Sequence, residues 1–218
     1  ATAHAMDLVG ERWALLVIRE LMFGPKRFSD LRADLPGISA NVLTQRLEGL
    51  EAAGILTRRK LPPPTPVQVY ELTDWGRETE PIFQALGRWA ARSPLHDPTL
   101  PFSASSLFLS FRTMFDAGRA GGLRADVGFR IGREHYLLRI ANGALTAERR
   151  DFDRADVVFS ATPTTMAAIV YGGVPIEAMT ASGALSIEGD RDLADRFVSL
   201  FPLPEKAKPA GQPETESA

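Results

Sequence analysis

Apolar residues recur at helical spacing through residues 2–53, and this pattern predicts four consecutive helices. The second helix, Glu11–Phe23, stops before Pro25, and the third stops at Pro36, because proline cannot continue a helix. The fourth begins after Ser39, a residue type that caps helix N-termini. Its inward stripe consists of Leu43, Leu47 and Leu50.

Two short strands are expected next, over residues 55–61 and 67–72, on either side of the proline-rich segment 62–66. A proline-rich segment cannot extend a central strand, so the pair reads as a β-hairpin. A longer helix, capped by Thr73 or Asp74, follows it. Helices followed by a hairpin and one more helix are typical of a winged helix-turn-helix.

The outer face of the fourth helix carries the side chains best suited to read DNA. Asn and Gln side chains form paired hydrogen bonds with adenine, and a Thr methyl group contacts thymine. Basic residues near the hairpin and the third helix suit phosphate contacts. The predicted DNA-binding residues are Ser39, Asn41, Thr44, Gln45, Arg46, Lys26, Arg27, Arg58, Arg59 and Lys60. A polar face alone fits any amphipathic surface helix, so the hairpin and its basic strand decide in favour of DNA.

Residues 6–91 resemble the HxlR-type family of bacterial transcriptional regulators. The resemblance is carried by "GERWALLVIRELMFGPKRFSDLRADLPGISANVLTQRLEGLEAAGILTRR", by "VQVYELTDWGRE" and by "LGRWA". It implies a homodimer that binds a palindromic operator in double-stranded DNA. The implied interface candidates are Ile82, Phe83, Leu86 and Trp89, for which packing inside the domain is the alternative. Some members of the family carry a sensing cysteine, whereas this chain contains no cysteine.

The rest of the chain predicts a second domain over residues 106–202, between a linker at 93–105 and a disordered tail at 203–218. One amphipathic helix precedes three strands, joined by turns such as Asn142-Gly143. A fourth strand, two helices, a fifth strand and a last helix follow. With residues 1–92 as the winged helix-turn-helix domain, the predicted fold class is mainly α with an additional α+β domain.

"ADVVFSATPTTMAAIVYGGVPIEAMTASGALSIEGDRDLADRFVSLF" makes residues 106–201 similar to the sterol carrier protein type 2 fold. This resemblance implies an apolar or lipid-like effector in a tunnel, since Met and Phe suit an adaptable pocket. The wall candidates are Phe111, Met114, Phe115, Met166, Ile169, Val170, Ile176, Met179 and Phe197. At helical spacing such residues also fit a plain core. The alternative is a domain that serves only for dimerisation or protein docking.

The composition of the chain excludes or disfavours several kinds of site. The 218 residues carry a net charge of −2 and no cysteine, which excludes disulfides and Cys-ligated zinc, while residues 26–60 hold seven basic and four acidic side chains. His4, His96 and His135 show no ligand spacing, so neither a metal nor a cofactor is expected, and catalysis is not expected. No apolar run reaches the roughly 18 residues of a membrane span, which favours the cytoplasm.

Overall fold

The structure is a computed structural model that describes residues 1–62, 66–97 and 102–208. The first part is a winged helix-turn-helix. Its helices and strands are α1 Thr2–Val9, α2 Arg12–Leu21, α3 Phe28–Asp34, α4 Ala40–Ala52, β1 Leu56–Lys60, β2 Gln68–Leu72, α5 Asp74–Arg77 and α6 Glu80–Ala91. β1 pairs with β2 in an antiparallel hairpin, the wing, which confirms the predicted hairpin. Residues 63–65 of the proline-rich segment lie outside the described residues.

The helix expected after the wing is divided in two. Thr73 caps the short α5, since its hydroxyl accepts a hydrogen bond from the Gly76 amide at 3.0 Å. Thr79 then precedes α6, with Pro81 in the first turn. Proline suits that position because it has no N–H to leave unpaired. The signal that the prediction of one long helix missed is Pro81, because proline is favoured in the first turn of a helix and disfavoured within one.

The second part is an α+β domain with a mixed sheet. Its elements are α7 Ala104–Met114, α8 Ala117–Ala120, β3 Ala125–Ile131, β4 Glu134–Ala141, β5 Ala144–Arg149, β6 Val157–Ala161, α9 Pro163–Val170, α10 Ile176–Ala181, β7 Leu185–Gly189 and α11 Arg191–Val198. The strand order is β5-β4-β3-β6-β7, with β3 and β6 parallel and the other pairs antiparallel. Asn142 and Gly143 have φ values of 55° and 72°, as a tight hairpin turn requires.

Aromatic side chains fill the space between the sheet and its helices. Phe111 of α7 stacks on Phe201 with ring centroids 4.6 Å apart and meets Phe197 of α11 edge-on at 5.7 Å. Phe129 of β3 stacks on Phe159 of β6 at 5.2 Å. Buried apolar residues of both domains form one continuous cluster. The two domains therefore share a core.

Both segments predicted to be unstructured are partly ordered. In the predicted linker, Ser103 caps α7, and Ser105 is fully buried, while residues 98–101 lie outside the described residues. In the predicted tail, the Lys206 ammonium donates to the carbonyl oxygens of Ala91 and Ser93 at 3.0 and 3.2 Å. The expectations of a linker and a disordered tail are thus wrong for residues 103–105 and 206, and residues 209–218 lie outside the described residues. Among the described residues no helix has the length and apolar content to cross a bilayer.

Candidate nucleic-acid interface and its junction with the second domain

α4 presents one polar face to solvent. Leu43, Leu47 and Leu50 are at most 2% exposed and hold the helix on the core. Asn41, Thr44, Gln45 and Glu48 are exposed, at positions i, i+3, i+4 and i+7. Ser39 caps the helix, since its hydroxyl oxygen accepts from the Val42 amide at 3.2 Å. The exposed N-terminus favours a nearby phosphate, because its free amides and the helix dipole attract anions.

The three basic residues of β1 are all exposed but do not point the same way. Arg58 and Lys60 share one face of the hairpin and Arg59 lies on the other, because side chains alternate along a strand. Arg58 pairs with Glu51 of α4 at 2.8 Å, and Arg59 pairs with Glu71 of β2 at 2.6 Å. Only the Arg58 and Lys60 side faces the end of α4, as the Glu51 contact shows. Exposed ion pairs are weak, so a phosphate could replace either carboxylate.

Two other predicted DNA contacts are engaged elsewhere. The Arg46 guanidinium pairs with Glu11 at 2.9 Å, and its side chain is 25% exposed. Lys26 is 2% exposed, and its ammonium group donates to carboxylates inside the protein. A phosphate contact by Lys26 is contradicted because no DNA backbone can reach a buried ammonium group. Arg27, the next residue, is exposed.

Lys26 instead centres a buried polar cluster that joins the two domains. Its ammonium donates to Glu20 at 3.2 Å, to Asp34 at 2.6 Å and to the Ser105 hydroxyl at 3.0 Å, so all three protons are used. Burial lowers the pKa of Lys26, but the nearby Glu20 and Asp34 carboxylates outweigh it and hold the pKa above 10.5. Ser103 donates to Glu20 at 2.8 Å. The cluster thus ties α2 and α3 to α7.

Glu20 is fully buried near the C-terminus of α2, where the helix dipole disfavours a negative charge. Arg19 offsets this with two hydrogen bonds to the Glu20 carboxylate, at 3.0 and 2.7 Å. Ser105 adds a bond to the Glu20 backbone oxygen at 3.2 Å. Arg19, Lys26 and Ser103 together donate four hydrogen bonds to the Glu20 carboxylate. A buried carboxylate needs such donors, because leaving it unpaired would cost several kcal/mol.

The corner between α2 and α3, residues 23–26, is held by both the wing and the second domain. Lys26 exchanges two backbone hydrogen bonds with Tyr70 of β2, at 3.1 and 2.9 Å. Phe23 packs edge-on against Phe108 and Tyr136, with centroids 6.2 and 5.8 Å away. The Arg149 guanidinium of β5 donates to the Pro25 carbonyl oxygen at 2.6 Å. We call residues 23–26 the corner segment.

The predicted interface residues of α6 separate into two groups. Ile82, Leu86 and Trp89 are 51%, 44% and 74% exposed, which leaves an apolar stripe on the outside of the helix. Phe83 is half-buried and packs against the core. Phe83 therefore belongs to the alternative that the sequence left open, packing inside the domain.

The predicted pocket walls are mostly core side chains. Phe111, Phe197 and Met166 are fully buried, and Met114, Ile169 and Ile176 are 5–6% exposed. Phe115, Val170 and Met179 are partly buried. For Phe111 and Phe197, a role as free tunnel walls is contradicted because their rings pack on Phe201 and on each other. A cavity of about 190 Å³ lies nearby, and its lining includes Val170, Tyr171, Phe201, Leu203 and Arg119.

Little in the sequence pointed to the junction. Glu20 and Ser105 are separated by 85 positions, so no local spacing could pair them. A charged residue on the inner stripe of an amphipathic helix was the available signal: Glu20 shares the stripe of Val17 and Leu21. A charge at such a position needs a buried partner.

Two protein families match different parts of this chain. The HxlR-like helix-turn-helix family matches residues 8–96, and the alkyl sulfatase C-terminal domain family matches residues 101–207. Two regulators from Bacillus subtilis are similar over 87 residues. The uncharacterized HTH-type transcriptional regulator YvaP is 40% identical, over 39% of this chain and 80% of its own. The HTH-type transcriptional regulator YodB is 44% identical, over 39% of this chain and 77% of its own.

The chain is also similar to a solved enzyme structure. It is the stereoselective inverting sec-alkylsulfatase Pisa1 from Pseudomonas sp., with a TM-score of 0.43 and 19% identity. The match covers 46% of this chain and 16% of that protein.

Proposed function

We propose that this chain, which belongs to the HxlR-like helix-turn-helix transcriptional regulators, recognises an operator through α4. The wing would contact the flanking phosphates. The observation that carries this proposal is the exposed stripe Asn41, Thr44 and Gln45 on a helix whose other side is fixed by buried leucines. Such a helix fits the major groove, where amide side chains distinguish adenine from the other bases.

The proposed phosphate contacts are Arg58 and Lys60, on the hairpin face that turns toward α4, with Arg27 and the N-terminus of α4 at the other side. Arg59 and Arg46 would join after exchanging Glu71 and Glu11 for phosphate. Glu48 lies on the reading face, where its carboxylate suits the amino group of cytosine.

An in vitro selection from random duplex DNA with the full chain, followed by affinity measurements over a range of salt, tests this proposal. Arg58→Ala with Lys60→Ala should lower the affinity and reduce the log–log salt slope by about 2 per protomer, or about 4 for a bound dimer, because each phosphate contact contributes roughly 0.9. Gln45→Ala should relax base preference with an unchanged slope. Arg139→Ala, on the outer sheet face of the second domain, is the matched control. An unchanged slope in the double variant would remove the wing from the interface.

We propose further that the chain is a homodimer that meets a palindromic site. The stripe Ile82, Leu86 and Trp89 supports this, because exposed apolar side chains in line along a helix mark an association surface. A two-fold dimer would place its two α4 helices about 34 Å apart, one turn of DNA.

For the second domain we retain the apolar effector and the sterol-carrier-like fold as proposals. The support is the cavity beside Val170 and Phe201, whose lining residues are mostly apolar and include the basic residue Arg119, which suits a short apolar chain with an anionic head. Native mass spectrometry before and after solvent extraction tests it. An extractable small mass on the protein supports a sensor, whereas a bare protein that also fails to bind added alkyl sulfate supports the docking platform.

We also propose that the second domain does not catalyse a reaction. His135 pairs with Asp151 at 2.8 Å on an exposed surface, and neither residue lines the cavity beside Val170 and Phe201. Incubation with sec-alkyl sulfates and detection of released sulfate is the test, and turnover would overturn this part of the account.

A further inference from the structure

A side chain of the second domain contacts the backbone of the corner segment. Arg149 reaches from β5 to the Pro25 carbonyl oxygen, and its other nitrogen pairs with Glu134 of β4 at 3.0 Å. Glu134 is itself held by the Tyr136 hydroxyl at 3.2 Å. Burial raises the pKa of Tyr136, so that hydroxyl remains a neutral donor. The Arg149 guanidinium is thereby held by Glu134 at one nitrogen and by the Pro25 carbonyl oxygen at another.

The corner segment is shaped to receive this side chain. Gly24 has a φ of 114°, a conformation that other residues adopt only with strain, and a Cβ there would lie 3.2 Å from the Arg149 Nη2 atom. On the other side of the same segment, Lys26 is bonded through its backbone to Tyr70 of the wing. Arg112 of α7 lies over the Phe23 ring at 4.8 Å and also pairs with Glu80 of α6 at 2.8 Å.

These contacts connect α3, the wing and α6 to the corner segment. α3 starts directly after the corner segment, the wing is bonded to it, and α6 is tied to it through Arg112. A shift of the corner would therefore move α3 and the wing relative to α2 and α4, which pack on each other. Since α4 packs on α2, the reading helix and the wing would then no longer match one DNA surface.

We propose that Arg149 is a positioning residue for operator recognition: its grip on Pro25 sets the corner segment, so that the second domain is a required part of the DNA-reading unit. The proposal rests on the proposed function and deepens it. It assigns to a side chain of the second domain, outside the helix-turn-helix, a specific share in sequence discrimination.

The test compares Arg149→Ala with Arg139→Ala in the full chain. Both changes remove an arginine that pairs with a carboxylate on a neighbouring strand. Arg149 of β5 pairs with Glu134 of β4, whereas Arg139 of β4 pairs with Asp126 of β3 and makes no contact with the corner segment. The probes are a duplex selected from a random pool by the wild-type protein and an unrelated duplex of equal length. Circular dichroism establishes that each variant is folded.

Arg149→Ala should lose about tenfold in affinity for the selected duplex relative to the unrelated one, roughly the share of one displaced base contact. The salt slope should fall by less than in Arg58→Ala with Lys60→Ala, because the phosphate-contacting side chains remain but the displaced wing meets the phosphates less well. Glu134→Gln should lose less, since Arg149 keeps Pro25 but loses its anchor. A ratio within twofold of wild type, or an equal loss in Arg139→Ala, would overturn the proposal.

Amide hydrogen exchange supplies a readout that needs no DNA. In Arg149→Ala, exchange should rise about tenfold at Lys26 and Tyr70, whose amides bridge the corner to the wing, and stay at the wild-type rate in β3 and β6. A uniform rise would indicate lost global stability and overturn the positioning role. If the wild-type chain selects no duplex, the proposed function itself fails. The exchange result then still shows whether Arg149 holds the corner.

Discussion

Replacing Lys26 with methionine tests the buried cluster, because it removes the positive charge and keeps most of the side-chain volume. Glu20, fully buried, would lose one donor and keep Arg19 and Ser103. Asp34 would lose its 2.6 Å contact but is 31% exposed and can turn to water. Removing one partner of a buried ion pair costs about 3–5 kcal/mol. The remaining donors place the expected loss near the lower end, about 3 kcal/mol.

The assay is urea unfolding followed by circular dichroism, with Arg59→Met as the matched control at an exposed ion pair. The control should lose roughly 0–1 kcal/mol, as surface pairs do. The double variant Lys26→Met with Glu20→Leu should recover part of the loss, because no uncompensated buried carboxylate remains. A loss below about 1 kcal/mol in Lys26→Met would show that the buried cluster contributes no more to stability than a surface ion pair.

Three further predictions concern pH, association and the cap of α4. Because the pKa of Lys26 in the folded chain lies above 10.5, its ion pairs stabilise the fold below that pH, and the stability gap between wild type and Lys26→Met should shrink as pH rises beyond it. Trp89→Glu should convert a dimer to a monomer in light scattering, while Leu95→Glu, 92% exposed beyond α6, should not, and a dimer in both would remove the stripe from the interface. Ser39→Ala should lower the unfolding free energy by about 1 kcal/mol, because the Val42 amide loses its acceptor, and an unchanged value would show the cap to be replaceable.

The sequence was sufficient for features that depend on local spacing. The leucines of α4 are buried and its amide side chains exposed, as the helical period requires. The wing strands and the Asn142-Gly143 turn follow from β-branched runs and turn chemistry in the same way. In each case the physical cause lies within a few residues, so a single sequence contains the whole signal.

The features it did not predict depend on contacts between distant residues. Lys26 looked like a surface base because its neighbours Arg27 and Ser29 are polar, whereas Ser105 and Glu20 bury it. Phe111 and Phe197 had the right spacing for a cavity wall, but only the fold shows that they pack on each other and that Phe201 packs on both. Whether an apolar side chain lines a cavity or fills it is a question of packing volume, on which periodicity is silent.

The most direct test of DNA reading by α4 uses the absence of cysteine from the chain. Gln45→Cys, labelled with a DNA-cleaving iron chelate, is bound to the selected duplex, and the cut positions are mapped. If α4 reads the operator, two clusters of cuts should appear in the major groove, about one helical turn apart, and the same label at Arg139→Cys should give no specific cuts. Uncut DNA with Gln45→Cys still bound, or equal cutting from both positions, would contradict it.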